Sequence, residues 1–425
     1  MKNFLTTGVL VTLALLPAYL LRADIFGIPT TLLEVFLLVL IATWVIQNRK
    51  RLKELFVINR QWAIFISLVV LSATISAIIA PDTLSAFGIW KAYFIEPILF
   101  FYLLVDLLRK KQITNEKIIT ALCVGGLLIS FAAILQWILW EGIPIPWDIE
   151  RRVTGLFDYP NALGLFLGPL VIIVIVRLIY KCHCESGLKA GRSNLCVEIA
   201  TSFRTFCKRC GTHRNDKMLF YLISLILFII AIILAQSEAA LASVVITIVI
   251  MGISYKKFRK PMIVISCAAL LILFSIPTTR AFLVNKISLQ DYSGQVRLSQ
   301  WKETSELLKD HPIAGVGLSQ YPNTLKPYHK DTQYEIFQYP HNIFLNIWVE
   351  LGLLGLLAFG FFCFLVLHNF TTPRLHDSIT FFFPLLQIFI HGLVDVPYFK
   401  NDLAVLTWTL LAIFYVTTIS SESKK

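Results

Sequence analysis

Stretches of 17 to 27 apolar residues recur along this chain of 425, and nothing else constrains its fold as tightly. Twelve can be counted, at about 4–21, 28–46, 62–80, 89–108, 118–140, 161–180, 218–236, 239–255, 261–277, 341–367, 378–394 and 402–419. Each is near the length of helix that crosses a bilayer core of about 30 Å. The composition agrees: 57% hydrophobic residues, 15% charged and a mean hydropathy of +0.73 leave too little polar surface to cover a soluble fold of this size. The expected fold is therefore an all-α polytopic membrane protein of about 12 transmembrane helices, one membrane domain over 1–425. Met1-Lys2-Asn3 before an apolar run also fits a signal peptide. The run ends Leu20-Leu21-Arg22 without a small-x-small cleavage site, so it is read as the first span.

Charge sets the orientation. The net charge of +12 would suggest nucleic acid in a soluble protein, yet the basic runs Arg49-Lys50-Arg51, Arg109-Lys110-Lys111 and Lys256-Lys257-Phe258-Arg259-Lys260 sit between apolar stretches, as cytoplasmic loops do. With both termini inside, the inner segments carry 25 Lys+Arg and the outer ones 12. No helix-turn-helix or aromatic-plus-basic pattern offers a nucleic-acid site. None of the eight cysteines falls on the outer face. Cys123, Cys267 and Cys363 lie in spans, and the rest in the inner loop 181–217, where no disulfide framework is implied. Cys182, Cys184, Cys207 and Cys210 make two close pairs able to hold structural Zn²⁺, although one intervening residue in the first pair is unusual for a zinc ribbon. The other reading is a solvated basic loop with free thiols.

Informative polar residues collect on the outer face, above all in the long segment 278–340 before span ten. Its S-G-Q-V-R-L-S-Q-W-K-E-T has helical spacing, with Val296, Gln300 and Glu303 on one side and Arg297, Trp301, Thr304 and Leu308 on the other. Asp310-His311-Pro312 should end that helix, and Gly315 and Gly317 permit tight turns. The chain turns apolar at His341, which places Arg297 and His341 near the water–lipid boundary. Asn342, Asn346 and Glu350 then recur every fourth residue, and an imidazole beside them could take a proton from an incoming hydroxyl. The alternative is a histidine that caps the helix.

Other outer residues extend the list. Arg151 and Arg152 precede V-T-G-L-F-D-Y-P-N; guanidinium forks match phosphate oxygens, or else anchor a loop among lipid headgroups. Glu238, in the tight turn between spans seven and eight, needs a cation such as Arg152 or Arg297, or must take up a proton and act as a second base. His391 and Asp395, four apart in the last outer turn, could share a helical face. Glu34, Glu96 and Glu350 are carboxylates inside spans, as a transporter would have them. There is no internal repeat, phosphate-binding loop, dinucleotide fingerprint or nucleophile elbow.

The strings R-L-S-Q-W-K-E-T-S-E-L-L-K-D-H-P-I-A-G-V-G-L-S-Q-Y and Y-P-H-N-I-F-L-N-I-W-V-E-L-G-L-L-G, with the earlier R-V-T-G-L-F-D-Y-P-N-A-L-G, resemble the signature regions of the O-antigen ligase and polymerase family. The resemblance implies an inverting glycosyltransferase of the inner membrane that needs no metal or other cofactor. It would move a glycan from an undecaprenyl-diphosphate carrier to an acceptor hydroxyl on a glycan, lipid or protein. The family's loop arginine falls on Arg297 and its histidine on His341, with Glu238 as a further catalytic candidate. Arg151, Arg152, Asn161, Asn342 and His311 would bind substrate. Where ligases commonly carry Ser-Arg-Gly, this chain reads Ser237-Glu238-Ala239, a reversal of charge that leaves a polymerase open and would make Arg152 the replacement cation. A transporter for lipid-linked glycans is the reading from another class.

Overall fold

The computed structural model describes residues 2–25, 28–186, 212–371 and 379–419. Its helices are α1 (Lys2–Ala14), α2 (Leu32–Gln47), α3 (Arg60–Ile79), α4 (Thr83–Ile89), α5 (Glu96–Arg109), α6 (Asn115–Leu139), α7 (Pro160–Ser186), α8 (Thr212–Leu234), α9 (Glu238–Ser254), α10 (Lys256–Ser275), α11 (Pro277–Ile287), α12 (Tyr292–Asp310), α13 (Tyr321–Leu325), α14 (Ile343–Thr371), α15 (Ile379–His391) and α16 (Asn401–Ile419). A short antiparallel hairpin, β1 (Arg22–Ile25) with β2 (Ile28–Thr31), interrupts the helical class. Cys207 and Cys210, and the side chains of Cys182 and Cys184, lie outside the described residues, and the possible zinc site with them.

Among the described residues, seven helices are long and apolar enough to cross a membrane, and an eighth appears if Leu32–Gln47 is joined to Arg49–Leu55 across their 72° bend. That is fewer than the twelve expected, because several apolar runs do not stay in one straight helix. The run at 4–21 folds into the 13-residue α1, a 3₁₀ turn at Leu16–Leu20 and the start of the hairpin. The run at 89–108 passes through a π-helical turn at Trp90–Ile95 before α5. The runs at 239–255 and 378–394 give helices of 17 and 13 residues.

Local chemistry sets the helix starts. At α2, the Thr31 hydroxyl accepts from the Glu34 amide while Glu34 accepts the Thr31 amide at 2.6 Å, a reciprocal cap that satisfies two free donors. Asn59 caps α3 through Trp62 N–H, and Thr114 caps α6. The bundle packs α16 on α5, α3 on α14, α8 on α6 and α7, and α15 on α7. Aromatic rings fill one seam: Trp62 lies 6.2 Å from Phe101 and 5.3 Å from Tyr415, and Phe101 lies 5.4 Å from Trp408. By contrast, the apolar stretch of α10 is wholly unburied.

One end, here the tail, is tied by Arg109 to Val57 O at 2.7 Å and Lys110 to Asn48 at 3.2 Å. The other, the head, joins the β-hairpin, the loops around 152–159 and 392–400 and the segment 277–342, as the Asn401–Thr31 (3.3 Å) and Tyr339–Phe399 (3.1 Å) hydrogen bonds show.

The head is clamped to the bundle where α14 breaks. Gly352 has φ +68°, a left-handed value suited to glycine, and the break frees backbone groups. Segment 313–316 takes them: Val316 N–H donates to Val349 O at 2.7 Å, and Leu353 N–H donates to Ile313 O at 2.8 Å. A Cβ on Gly315 would meet Val349 O at 2.5 Å, and one on Gly352 would meet Ile313 O at the same distance, so neither position admits a side chain. Glu350 accepts Ser319 N–H at 2.8 Å and Trp348 donates to Pro312 O at 2.8 Å, closing the joint.

The helix expected around Arg297 is α12, and it stops at Asp310 as the following proline requires. Its division into two faces is less sharp than the spacing suggests. Thr304 and Leu308 are buried along with Val296, Gln300 and Glu303, because α12 is enclosed by both α14 and the loop 321–331.

Candidate active site

Segment 392–400, between α15 and α16, gathers groups from several other parts of the head. Arg297 Nε donates to Val394 O at 3.0 Å, and its Nη1 lies 3.4 Å from Ser293 O. The next residue along, Asp395, holds His341: Oδ1 is 3.4 Å from Nδ1. Asn342 donates to Leu393 O at 3.0 Å, and Ile343 N–H donates to Gly392 O at 2.7 Å. Arg297 and His341, 44 positions apart in sequence, therefore meet on neighbouring residues of one loop.

The local environment is polar and largely buried. His341 has φ +48°, uncommon for a residue with a side chain, and its ring sits edge-on to Phe337 at 5.2 Å. Its side chain is 23% exposed against 7% for Asp395, so the imidazole reaches an opening while the carboxylate lies behind it. Burial alone would raise the Asp395 carboxyl. The hydrogen bond with His341, the nearby His391 and the Val396 N–H at 2.8 Å overcome this and bring it down to about 2. A carboxylate held ionised fixes the imidazole tautomer, with Nδ1–H towards Asp395 and Nε2 left as acceptor. His391 is fully buried, has Asp395 and Arg297 as charged neighbours, and lacks a hydrogen-bond partner at either ring nitrogen. Asp395 Oδ2 and both side-chain ends of Asn346 and Gln300 are likewise buried without partners.

The remaining candidates are placed differently. Asn342 caps α14, accepting Phe344 and Leu345 N–H at 3.0 and 3.1 Å, so its side chain is structural. Glu238 is ion-paired with Lys286 at 2.5 Å rather than with Arg152 or Arg297, because α11 brings that lysine to the start of α9 and Asp291 holds it from the other side at 2.8 Å. Arg151 lies over the rings of Trp137 and Trp140 at 4.3 and 4.1 Å and bonds Trp137 O. Arg152 lies over Trp147 at 4.9 Å and reaches Ala235 O at 3.4 Å; burial lowers its pKa, against the charges of Glu150 and Glu238. Asn161 is half-buried at the start of α7, and His311 is exposed just beyond α12. No hydrogen bond or ion pair among the described residues joins these last four to His341 or Arg297.

Asp395 is the partner of His341 that the sequence did not reveal. Its four-residue spacing from His391 suggested one helical face, yet α15 ends at His391 and the loop carries Asp395 to His341 instead. Among the described residues no cluster of three or more His, Cys, Asp or Glu has metal-binding geometry.

Residues 223–360 match the family model described as O-antigen ligase. The chain is a membrane protein with an O-antigen ligase domain. The matched region runs from α8 into α14 and so includes Glu238, Arg297 and His341, whereas Asp395 and its loop lie beyond it. No curated protein matches the chain. The O-antigen ligase match and the apolar helices together make this an integral membrane protein of cell-envelope polysaccharide biosynthesis, with a ligase- or polymerase-type role in glycan transfer.

Proposed function

We propose that the head pocket transfers a glycan from an undecaprenyl-diphosphate-type carrier to a hydroxyl of an acceptor glycan, lipid or protein. The observation that carries this reading is the attachment of Arg297 and the His341–Asp395 pair to adjacent residues of one loop. The acceptor oxygen attacks the anomeric carbon as its proton passes to His341 Nε2. The bond from that carbon to the diphosphate oxygen breaks, the carrier leaves as lipid diphosphate, and the sugar carbon inverts. Arg297 spends two donors on backbone carbonyls, which aims the guanidinium and leaves further N–H groups for the charge that grows on the leaving diphosphate. The 3.4 Å separation within the pair is long for a hydrogen bond, as catalytic contacts often are before substrate binds.

A place for the carrier's tail supports the same reading. An apolar groove runs between α3, α14, α15 and α16, lined by Phe65, Phe94, Ile347, Phe359, Tyr398 and Trp408 among others. Tyr398 and Phe399, at its head end, belong to the loop that carries Asp395. A polyprenyl chain in the groove would deliver its diphosphate to the pocket. In this reading the protein sits in the inner membrane with both termini inside and the head outside, as the basic runs Arg49–Arg51 and Arg109–Lys111 at the tail favour. The acceptor decides between ligase and polymerase, and the length of the product distinguishes them.

The test is glycan transfer by the reconstituted chain with a lipid-diphosphate donor. Arg297→Ala and His341→Ala should each lower turnover by about 10²–10⁴ while inserting normally. Near-normal turnover in both variants rejects the site.

A further inference from the structure

Lys400, the last residue of the loop that carries Asp395, is held in an unusual way. Its Nζ lies 4.6 Å from the Phe157 ring centroid, 5.0 Å from Tyr19 and 5.1 Å from Tyr159. Those rings come from two segments far apart in sequence, the turn after α1 and the loop before α7. Among the described residues its ammonium makes no hydrogen bond and no ion pair. Other head lysines have oxygen partners: Lys286 has Glu238 and Asp291, Lys330 has Glu306, Lys91 has Glu34 and Lys326 has the Asn323 amide. The acids around Lys400, Asp402, Asp158 and Asp395, stand off beyond ion-pair distance.

Aromatic faces attract a cation but accept no hydrogen bond in the plane of a lone pair, so the three N–H donors of Lys400 stay available. An ammonium held by ring faces, with unspent donors, suits an anion that brings lone pairs to it. Tyr339, two residues before His341, donates to Phe399 O at 3.1 Å, which ties the backbone next to Lys400 to the segment that carries His341. Burial draws the Lys400 ammonium below its usual range, while Asp402, Asp158 and Asp395 work to keep it charged.

We propose that Lys400 is a diphosphate-binding residue of the transfer pocket, taking one phosphate oxygen of the lipid carrier while Arg297 takes another. This rests on the function proposed above. It also gives the loop before α7 a role, since the F-D-Y of Phe157–Tyr159 presents the lysine and the nearby arginines do not replace it. A lysine fits as a mobile point charge beside the planar, bidentate guanidinium.

The experiment uses the full chain in lipid nanodiscs, with farnesyl diphosphate, farnesyl monophosphate and farnesol as probes. Wild type should prefer the diphosphate. Lys400→Met should raise its Kd by about tenfold or more and narrow the diphosphate-to-monophosphate ratio, while Lys400→Arg should stay within about threefold of wild type. A role confined to clamping the two loops predicts lower thermal stability with an unchanged ratio. That result, or wild-type affinity in Lys400→Met with binding lost in Arg297→Ala, overturns the assignment and leaves the proposed function standing. If Lys400→Met fails to insert, Lys400→Gln is held to the same criterion. No preference of wild type for diphosphate over farnesol removes the proposed function together with the role of Lys400.

Discussion

The head carries two groups of cations, and they are held in opposite ways. Arg151 and Arg152 lie against indole rings of Trp137, Trp140 and Trp147, and each bonds a backbone carbonyl. Indoles and arginines in that arrangement suit a membrane boundary, where an apolar body and a polar tip meet, although Arg151 Nε finds no hydrogen-bond partner among the described residues. Arg297, in contrast, bonds backbone carbonyls, with buried His391 as a neighbour and Asp395 next along the loop; among the described residues the His391 ring nitrogens and Asp395 Oδ2 have no hydrogen-bond partner. A buried donor or acceptor left unmade costs about 1–3 kcal/mol, and a protein concentrates such groups where a ligand completes them. The lesson is that basic residues near a bilayer are told apart by what packs around them, indole rings for Arg151 and Arg152 and the loop that carries Asp395 for Arg297, not by charge or by side.

Variants can break or sharpen that contrast. The largest expected effects are those of Arg297→Ala and His341→Ala on turnover, given above. Next is Asp395→Asn, which keeps the shape but removes the charge that fixes the His341 tautomer. Transfer should fall by about 10²-fold with acceptor KM little changed. A loss below threefold would show that the pair is only a structural contact. Arg152→Ala should cost less than about fivefold in turnover, since Trp147 and Ala235 O already occupy its guanidinium. Arg151→Ala should leave turnover near wild type and lower stability by about 0.5–1 kcal/mol through its lost ring contacts, read as a shift in thermal unfolding. A hundredfold loss of transfer in either would erase the distinction between the two groups. The smallest effect belongs to Glu238→Ala. Its side chain is 58% exposed and its partner Lys286 retains Asp291, so turnover should change by less than about twofold.

Much of this was legible in the sequence because its causes are local. The apolar runs, the helix stop at Asp310-His311-Pro312 and the turn glycines depend on neighbours a few residues away. Arg297 and His341 stood out as polar residues at the edge of an apolar run. The break at Gly352 was hidden, since the sequence around it is continuously apolar and its freed backbone groups are satisfied by residues 313–316. Asp395 and Lys400 gain their meaning from a loop whose path only the tertiary structure defines. The carboxylates that suggested a transporter divide in the same way. Glu34 caps α2 and pairs with Lys91 at 3.0 Å, and Glu350 secures Ser319, so both have structural employment. Glu96, buried with both oxygens unpartnered, is the one the pocket does not use.

The central claim is that the head breaks a sugar–diphosphate bond, and its stoichiometry can be measured directly. Proteoliposomes holding the purified chain, a lipid-diphosphate glycan, an acceptor and EDTA should release one carrier diphosphate for each glycan that appears on acceptor, with neither product in His341→Ala. Glycan lipid that crosses the bilayer intact, with no carrier released, would contradict the account.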